Sequence, residues 1–163
     1  PNVEAAVWMA HNCWPKISKA FPNAKFVIAG NRPTAAVTDL GSSSTINVTG
    51  RVPSMGDLIS EAQVAVAPMQ SGSGMQFKIL EAMSCGVPVI TTSLGLGDIR
   101  ARPGIEVLVA DTADDFVETV LLLLGSRELQ EKIGKAGQRY VDENHTWTAL
   151  NTEFEKIMLS KLC

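Results

Sequence analysis

The chain has 163 residues, enough for one domain with a real core. Apolar residues make up 45% and charged residues 19%, which excludes a disordered chain. Lys and Arg number 14 against 17 Asp and Glu, a net charge of -3 with no basic cluster, so nucleic-acid binding is excluded as the main task. The densest apolar run, residues 120–124, falls far short of the roughly 20 residues of a membrane span. No basic stretch followed by an apolar run opens the sequence, so no secretory leader is expected. Cys13, Cys85 and Cys163 are far apart and lack CxxC spacing, which reads as reduced, cytosolic thiols. His11 and His145 are isolated, so no metal site is expected.

The apolar period alternates along the chain. Val3, Ala6, Val7, Ala10, Cys13, Trp14 and Ile17 follow helical spacing, with Asn2 as N-cap and a kink expected at Pro15. Residues 25–29 read as a buried strand, residues 33–40 as a short helix and residues 45–48 as a strand ended by Thr49-Gly50. Ser54 with Asp57 resembles a capping box for a helix through Ala62. Residues 64–67 are the next strand, and a loop from Met69 leads into a helix over residues 75–85, ended by Gly86. Strands follow at 88–91 and 106–109, with a turn between them at 93–98. Helices are expected over 112–124, 126–144 and 146–159, capped by Thr112, Ser126 and Thr146. Trp8, Trp14 and Trp147 read as core anchors, His11 as a surface residue, and residues 121–124 as helix buried on most sides. Strands apolar on both faces, alternating with helices, predict one α/β domain over residues 1–163. It is Rossmann-like, a parallel sheet with helices on both faces and a helical C-terminal tail from about residue 112.

Ligands of such sheets bind beyond the carboxyl ends of the strands. The richest loop there is Gly72-Ser73-Gly74-Met75-Gln76-Phe77-Lys78-Ile79-Leu80-Glu81. Glycines before a helix start allow an anion to approach free backbone amides. At 100° per residue, Gly74, Lys78, Glu81 and Cys85 share one stripe, while Met75, Ile79, Leu80 and Met83 face the core. Lys78 can then neutralise a phosphate, and Glu81 can accept hydrogen bonds from two vicinal hydroxyls. The same spacing also fits a flexible loop and a solvated i,i+3 ion pair contributing about 0.2–0.5 kcal/mol. The stretch is neither a Walker motif nor GxGxxG.

Residues 72–83, followed by Gly86-Val87-Pro88-Val89-Ile90-Thr91-Thr92, resemble the signature of retaining GT-B glycosyltransferases of the family 4 group. Weaker matches follow in order: Pro22, Gly30, Thr49-Gly50-Arg51-Val52, residues 65–69 and Trp147. The resemblance implies the C-terminal, sugar-nucleotide-binding half of a GT-B fold. It implies that Lys78 contacts the donor diphosphate and Glu81 the ribose. The backbone of Gly72, Ser73, Gly74 and Met75 would cradle the phosphates, and Arg51 and Val52 would lie against the base. No metal or other cofactor is implied. The partners implied are a nucleoside-diphosphate sugar and an N-terminal acceptor domain, without which the chain has little activity. Localisation is cytoplasmic, with peripheral membrane contact by the full protein, and the implied role is polysaccharide synthesis.

Two departures matter. The family motif often carries a pair of glutamates seven residues apart, and Ser73 stands at the first of them. Relatives also have a strand ending in Gly directly before the Pro-Asn that is Pro1-Asn2 here. That strand is central in a 3-2-1-4-5-6 order, so its absence predicts a disrupted sheet, or one completed by another segment or chain. Ser73 keeps open a non-catalytic nucleotide-sugar-binding or interaction module. A GT-B nucleotide-sugar epimerase is a further alternative, disfavoured because no acid/base pair is evident.

Overall fold

The computed structural model describes residues 1–145. The expected helix at 146–159, with its cap Thr146 and Trp147, lies outside the described residues.

The chain opens with one long helical stretch in three pieces: α1 (Asn2–Trp8), a π-helical turn (Met9–Cys13) and α2 (Trp14–Ala20). The kink expected at Pro15 becomes this wide turn. Proline lacks a backbone N–H and its ring crowds the preceding turn, and here it falls in the first turn of α2, where no donor is needed. Asn2 is not the cap: Pro1 holds that position, and its carbonyl accepts from Ala5 N at 2.9 Å.

Strand β1 (Phe26–Ala29) follows, then α3 (Ala35–Thr38), a 3-10 turn (Asp39–Ser42) and β2 (Ile46–Gly50). Next come α4 (Met55–Ser60), β3 (Ala65–Ala67), α5 (Phe77–Ser84) and β4 (Val89–Thr91). The chain continues through α6 (Ser93–Leu96), β5 (Leu108–Val109), α7 (Ala113–Leu124) and α8 (Arg127–Asn144). The expected caps at Ser54, Thr112 and Ser126 all form, each hydroxyl accepting from the amide three residues on at 3.2 Å. Helix α4 stops at Ser60, short of Ala62. The expected turn at 93–98 holds α6, whose cap Thr92 accepts from Gly95 N.

All strand pairs are parallel, but they form two sheets: β1 with β2, and β3-β4-β5. The sheet is therefore disrupted between β1 and β3, which is one of the two outcomes expected from the sequence.

Two apolar layers cover the strands. One gathers Met9, Cys13, Trp14, Ile17, Ile90, Phe116, Val120 and Leu123, from the π-helical turn, α2, α7 and one face of β4. The other gathers Ile79, Leu80, Met83, Val89, Val107 and Val141, from α5, α8 and the opposite face. Val89 and Ile90 point to opposite layers because a strand alternates its side chains. Trp8 meets Phe116 edge-on at 5.8 Å, and Trp14 donates to Thr45 Oγ1 at 2.9 Å, so both tryptophans anchor the first layer. Leu123 is buried but Leu122 is 60% exposed, so the leucine run is amphipathic and not buried on most sides. Cys13 is a free buried thiol whose pKa burial pushes up to about 11, which makes it inert.

Candidate functional site

The carboxyl ends of β3 and β4 are clamped by two threonines. Thr91 Oγ1 donates to Ala67 O at 2.9 Å, and Thr92 Oγ1 donates to Met69 O at 2.8 Å. Ser93 is held by Asp111, which accepts from its backbone N at 2.7 Å and its Oγ at 2.6 Å. These bonds fix where the loop after β3 begins. Ser71 Oγ donates to a Glu4 carboxylate oxygen, tying the middle of that loop to the first turn of α1.

The loop is longer than the sequence pattern implied. Helix α5 starts at Phe77, not at Met75. Gly72 and Gly74 have φ of 111° and 79°, a left-handed backbone that resists a helix, and Gln76 at φ -89°, ψ 88° is extended away from it. Gly74 therefore does not share a helical stripe with Lys78, and Met75 does not face the core: it is 39% exposed. Ile79, Leu80 and Met83 are buried as expected.

This gives α5 an N-terminus with no side-chain cap. Ile79 N already bonds Gln76 O at 2.9 Å, which leaves the amides of Phe77 and Lys78 as the ones without intrahelical partners at the helix start. Lys78 sits beside them, half-buried. Its Nζ donates to Gln76 Oε1 at 2.7 Å and lies 3.5 Å from Met69 Sδ. Burial pushes its pKa below the usual lysine value. Lys78 thus carries a partly dehydrated charge balanced by a neutral amide and a thioether, and it makes no ion pair with Glu81. Glu81 is exposed, one turn on. Both side chains line the carboxyl-end mouth of a groove of about 900 Å³ that runs between β1 and β3.

The remaining sequence candidates spread out. Gly72, Ser73 and Gly74 are exposed in the loop and do not line the groove. Arg51 is exposed just past β2 and Val52 is half-buried, also outside it. Lys78 and Glu81 thus line one groove, and Gly72, Ser73, Gly74, Met75, Arg51 and Val52 do not. Met69, Gln76, Glu4 and Thr92 are additions. Gln76, two residues before Lys78 at a loop–helix junction, was the one with a readable signal; the others reach the site by long-range contacts. Among the described residues no group of three His, Cys, Asp or Glu gathers to hold a metal, and no helix is long and apolar enough to cross a membrane.

Comparison with known proteins identifies the setting. A protein of the capsule (cps) region of Klebsiella pneumoniae, uncharacterised, is 22% identical over 152 residues, covering 88% of this chain and 39% of that protein. A GDP-mannose-dependent monoacylated alpha-(1-6)-phosphatidylinositol monomannoside mannosyltransferase of Corynebacterium glutamicum is 25% identical over 159 residues, covering 90% of this chain and 42% of its own. The chain thus spans less than half the length of these relatives.

Among solved structures, Anabaena HepE in complex with UDP and glucose superposes with a TM-score of 0.74 at 14% identity, covering 92% of this chain and 44% of that one. Sucrose-phosphate synthase of Thermosynechococcus elongatus gives 0.76 at 16% identity, covering 99% and 43%. The C-terminal domain of the group 1 glycosyl transferase LpcC from Francisella tularensis gives 0.68 at 17% identity, covering 89% and 77%. The fold is one half of a GT-B fold. The family model for glycosyl transferases group 1 matches residues 1–126, and the chain belongs to that family.

Proposed function

We propose that this chain is the donor-binding half of a retaining glycosyltransferase, and that it holds a nucleoside-diphosphate sugar at the N-terminus of α5. The observation that carries this reading is the half-buried Lys78 ammonium beside an uncapped helix start, with a free carboxylate, Glu81, one turn further on. The lysine and the orphan amides stabilise the negative charge that develops on the leaving diphosphate as the sugar–oxygen bond breaks. That role is electrostatic and calls for no metal. Glu81 accepts hydrogen bonds from the ribose hydroxyls. The backbone of Gly72, Ser73, Gly74 and Met75 closes over the phosphates, and Arg51 and Val52 flank the base. HepE with bound UDP and a mannosyltransferase named for GDP-mannose support a nucleotide-sugar ligand.

An N-terminal acceptor domain completes the active site in this reading, and the chain alone transfers no sugar. The sugar is a hexose, and the acceptor is a growing glycan or a lipid-linked saccharide at the cytoplasmic face of a membrane. The capsule-region relative supports polysaccharide synthesis. A second reading is a module that binds nucleotide sugars without turnover. It is favoured by Ser73, exposed where a carboxylate would touch the donor sugar.

Calorimetric titration of UDP, GDP and ADP tests the site. One nucleotide is expected to bind selectively. Lys78→Ala and Glu81→Ala should each weaken it roughly 10- to 100-fold, the range for a charge-assisted hydrogen bond. Affinity should fall as pH rises through the depressed Lys78 value, below 10.5, because only the protonated ammonium attracts the diphosphate. The Lys78→Ala variant should lose that alkaline limb. Equal binding by wild type and both variants would sink the assignment. Ser73→Glu in the full protein, assayed for donor hydrolysis, separates the two readings: a gain of hydrolysis from an inactive parent favours the binding module.

A further inference from the structure

We propose that Arg32 is the second cation of the donor site, held on a strained backbone so that its guanidinium grips the diphosphate alongside Lys78. Resting on the nucleotide-sugar reading above, this assigns to Arg32 the preference for a diphosphate over a monophosphate.

With Lys78 alone, the site is short of positive charge. A nucleoside-diphosphate sugar brings two negative charges on its phosphates. Lys78 supplies one ammonium, and Glu81 stands one turn on with a carboxylate. Glu4 brings another carboxylate to the same loop through Ser71. The whole chain is acidic, at a net charge of -3, so no general positive field makes up the difference. The charged residues that line the groove are Lys25, Arg32, Glu61, Lys78 and Glu81. Lys25 precedes β1 and donates to Ser44 O at 2.9 Å, and Glu61 precedes β3, so both stand at the amino ends of the strands. Arg32 follows the carboxyl end of β1 and is the remaining cation.

Arg32 and Lys78 stand at the same end of the groove. Helix α3 begins at Ala35, just past Arg32, and packs on α1. Through Glu4, the first turn of α1 holds Ser71, in the loop that leads to Lys78. Helix α1 thus joins the loop after β1 to the loop after β3. The Arg32 guanidinium is exposed and makes no hydrogen bond or ion pair among the described residues, so all its N–H groups are free for a ligand. Its flat fork suits two phosphate oxygens at once, which a compact ammonium does not.

The backbone at Arg32 is an independent sign. Its φ is 53°, and among the described residues no other non-glycine residue has a positive φ. A Cβ makes that region costly, and Pro33 adds to the cost, because a proline pushes the residue before it toward extended backbone. The neighbours hold Arg32 there. Gly30 N bonds Gly50 O at 3.1 Å, and Thr34 O accepts from Val37 N at 3.0 Å and Thr38 N at 2.9 Å, so Asn31, Arg32 and Pro33 bridge two fixed points. Glycine or asparagine at this position relieves the strain and breaks no bond of the side chain, since Arg32 makes none. Strain that no internal contact offsets is the mark of a residue kept for a ligand.

The test titrates GDP, GMP, UDP and UMP into the full protein and its Arg32→Asn, Arg32→Lys and Lys78→Ala variants by calorimetry, with thermal unfolding of each. Arg32→Asn should weaken diphosphate binding roughly 10- to 100-fold and monophosphate binding far less. It should also raise the unfolding midpoint of this domain by about 2–4 °C, because asparagine tolerates the left-handed backbone. Arg32→Lys keeps both the charge and the strain, so it should restore part of the affinity and leave the midpoint in place. A structural arginine does not give that crossing of affinity and stability. Diphosphate binding at the wild-type level in Arg32→Asn, beside a loss in Lys78→Ala, overturns the inference and leaves the donor reading standing. Affinity and midpoint falling together would make Arg32 a structural residue and overturn it as well. A wild-type protein that binds none of the four nucleotides removes the donor reading, and this assignment with it.

Discussion

Strands β4 and β1 are built from the same kind of residue and end in different states. Val89, Ile90 and Thr91 of β4 are fully covered, with β3 on one edge, β5 on the other and apolar layers above and below. Phe26, Ile28 and Ala29 of β1 are only half-buried and Val27 is exposed, because one edge of β1 is open. Burial of a strand thus depends on its neighbours more than on its own hydrophobicity. In the three-stranded half the central strand β4 is fully buried, while the edge strand β3 is half-buried. The two-stranded half keeps a half-buried β1 with one open edge.

The comparison breaks most sharply under truncation. Ile90→Ala removes a side chain with no exposed surface between α2 and α7, and should cost about 3–5 kcal/mol, because the site cannot collapse. Ile28→Ala should cost about 1–2 kcal/mol, since part of that side chain is already wet. Thermal or urea unfolding of both variants checks the gap. Equal costs would show that the two halves are equally packed.

A pH titration sharpens the same contrast inside the three-stranded half. Just before β5, Glu106 is buried and accepts from Arg102 N at 2.6 Å and Nε at 2.9 Å. The Arg102 hydrogen bond holds its carboxyl below the usual glutamate value of 4.5. As pH falls, the unfolded carboxyl protonates first, so the unfolded state gains protons that the native state refuses. The stabilisation is complete above pH 4.5 and is lost as pH falls through the depressed value. Glu106→Gln should lower neutral-pH stability and flatten the acid limb of the unfolding midpoint against pH. An unchanged acid limb would mean that the pair contributes nothing.

Features set by neighbours in sequence were legible in advance. Ser54, Thr112 and Ser126 cap their helices because a cap needs only a hydroxyl and an amide three residues away. The split sheet was also foreseeable, from the resemblance at Pro1-Asn2 and not from periodicity. Features set by distant contacts were hidden. Helix α6 looked like a glycine turn, yet a Cβ at Gly95 would lie 2.2 Å from Thr91 Oγ1, so that glycine serves close packing. The start of α5 moved from Met75 to Phe77 through the positive φ of Gly74, which spacing does not encode. At the site, the chemistry of Lys78 and Glu81 could be read from residue type. The setting of Lys78 on Met69 and Gln76 could not, because Thr92 places Met69 from another strand.

The smallest expected effect separates the halves most finely. Thr112 and Ser54 make the same capping bond at the same length, on helices of different standing. Helix α7 carries Phe116, Val117, Val120 and Leu123 into the core, so it opens only when the domain unfolds. Helix α4 buries nothing, so it can fray alone. Thr112→Ala should therefore cost about 1 kcal/mol of global stability. Ser54→Ala should cost only a few tenths globally, with its loss appearing as faster amide exchange within α4. If the two caps cost the same in global unfolding, α4 is already part of the cooperative core.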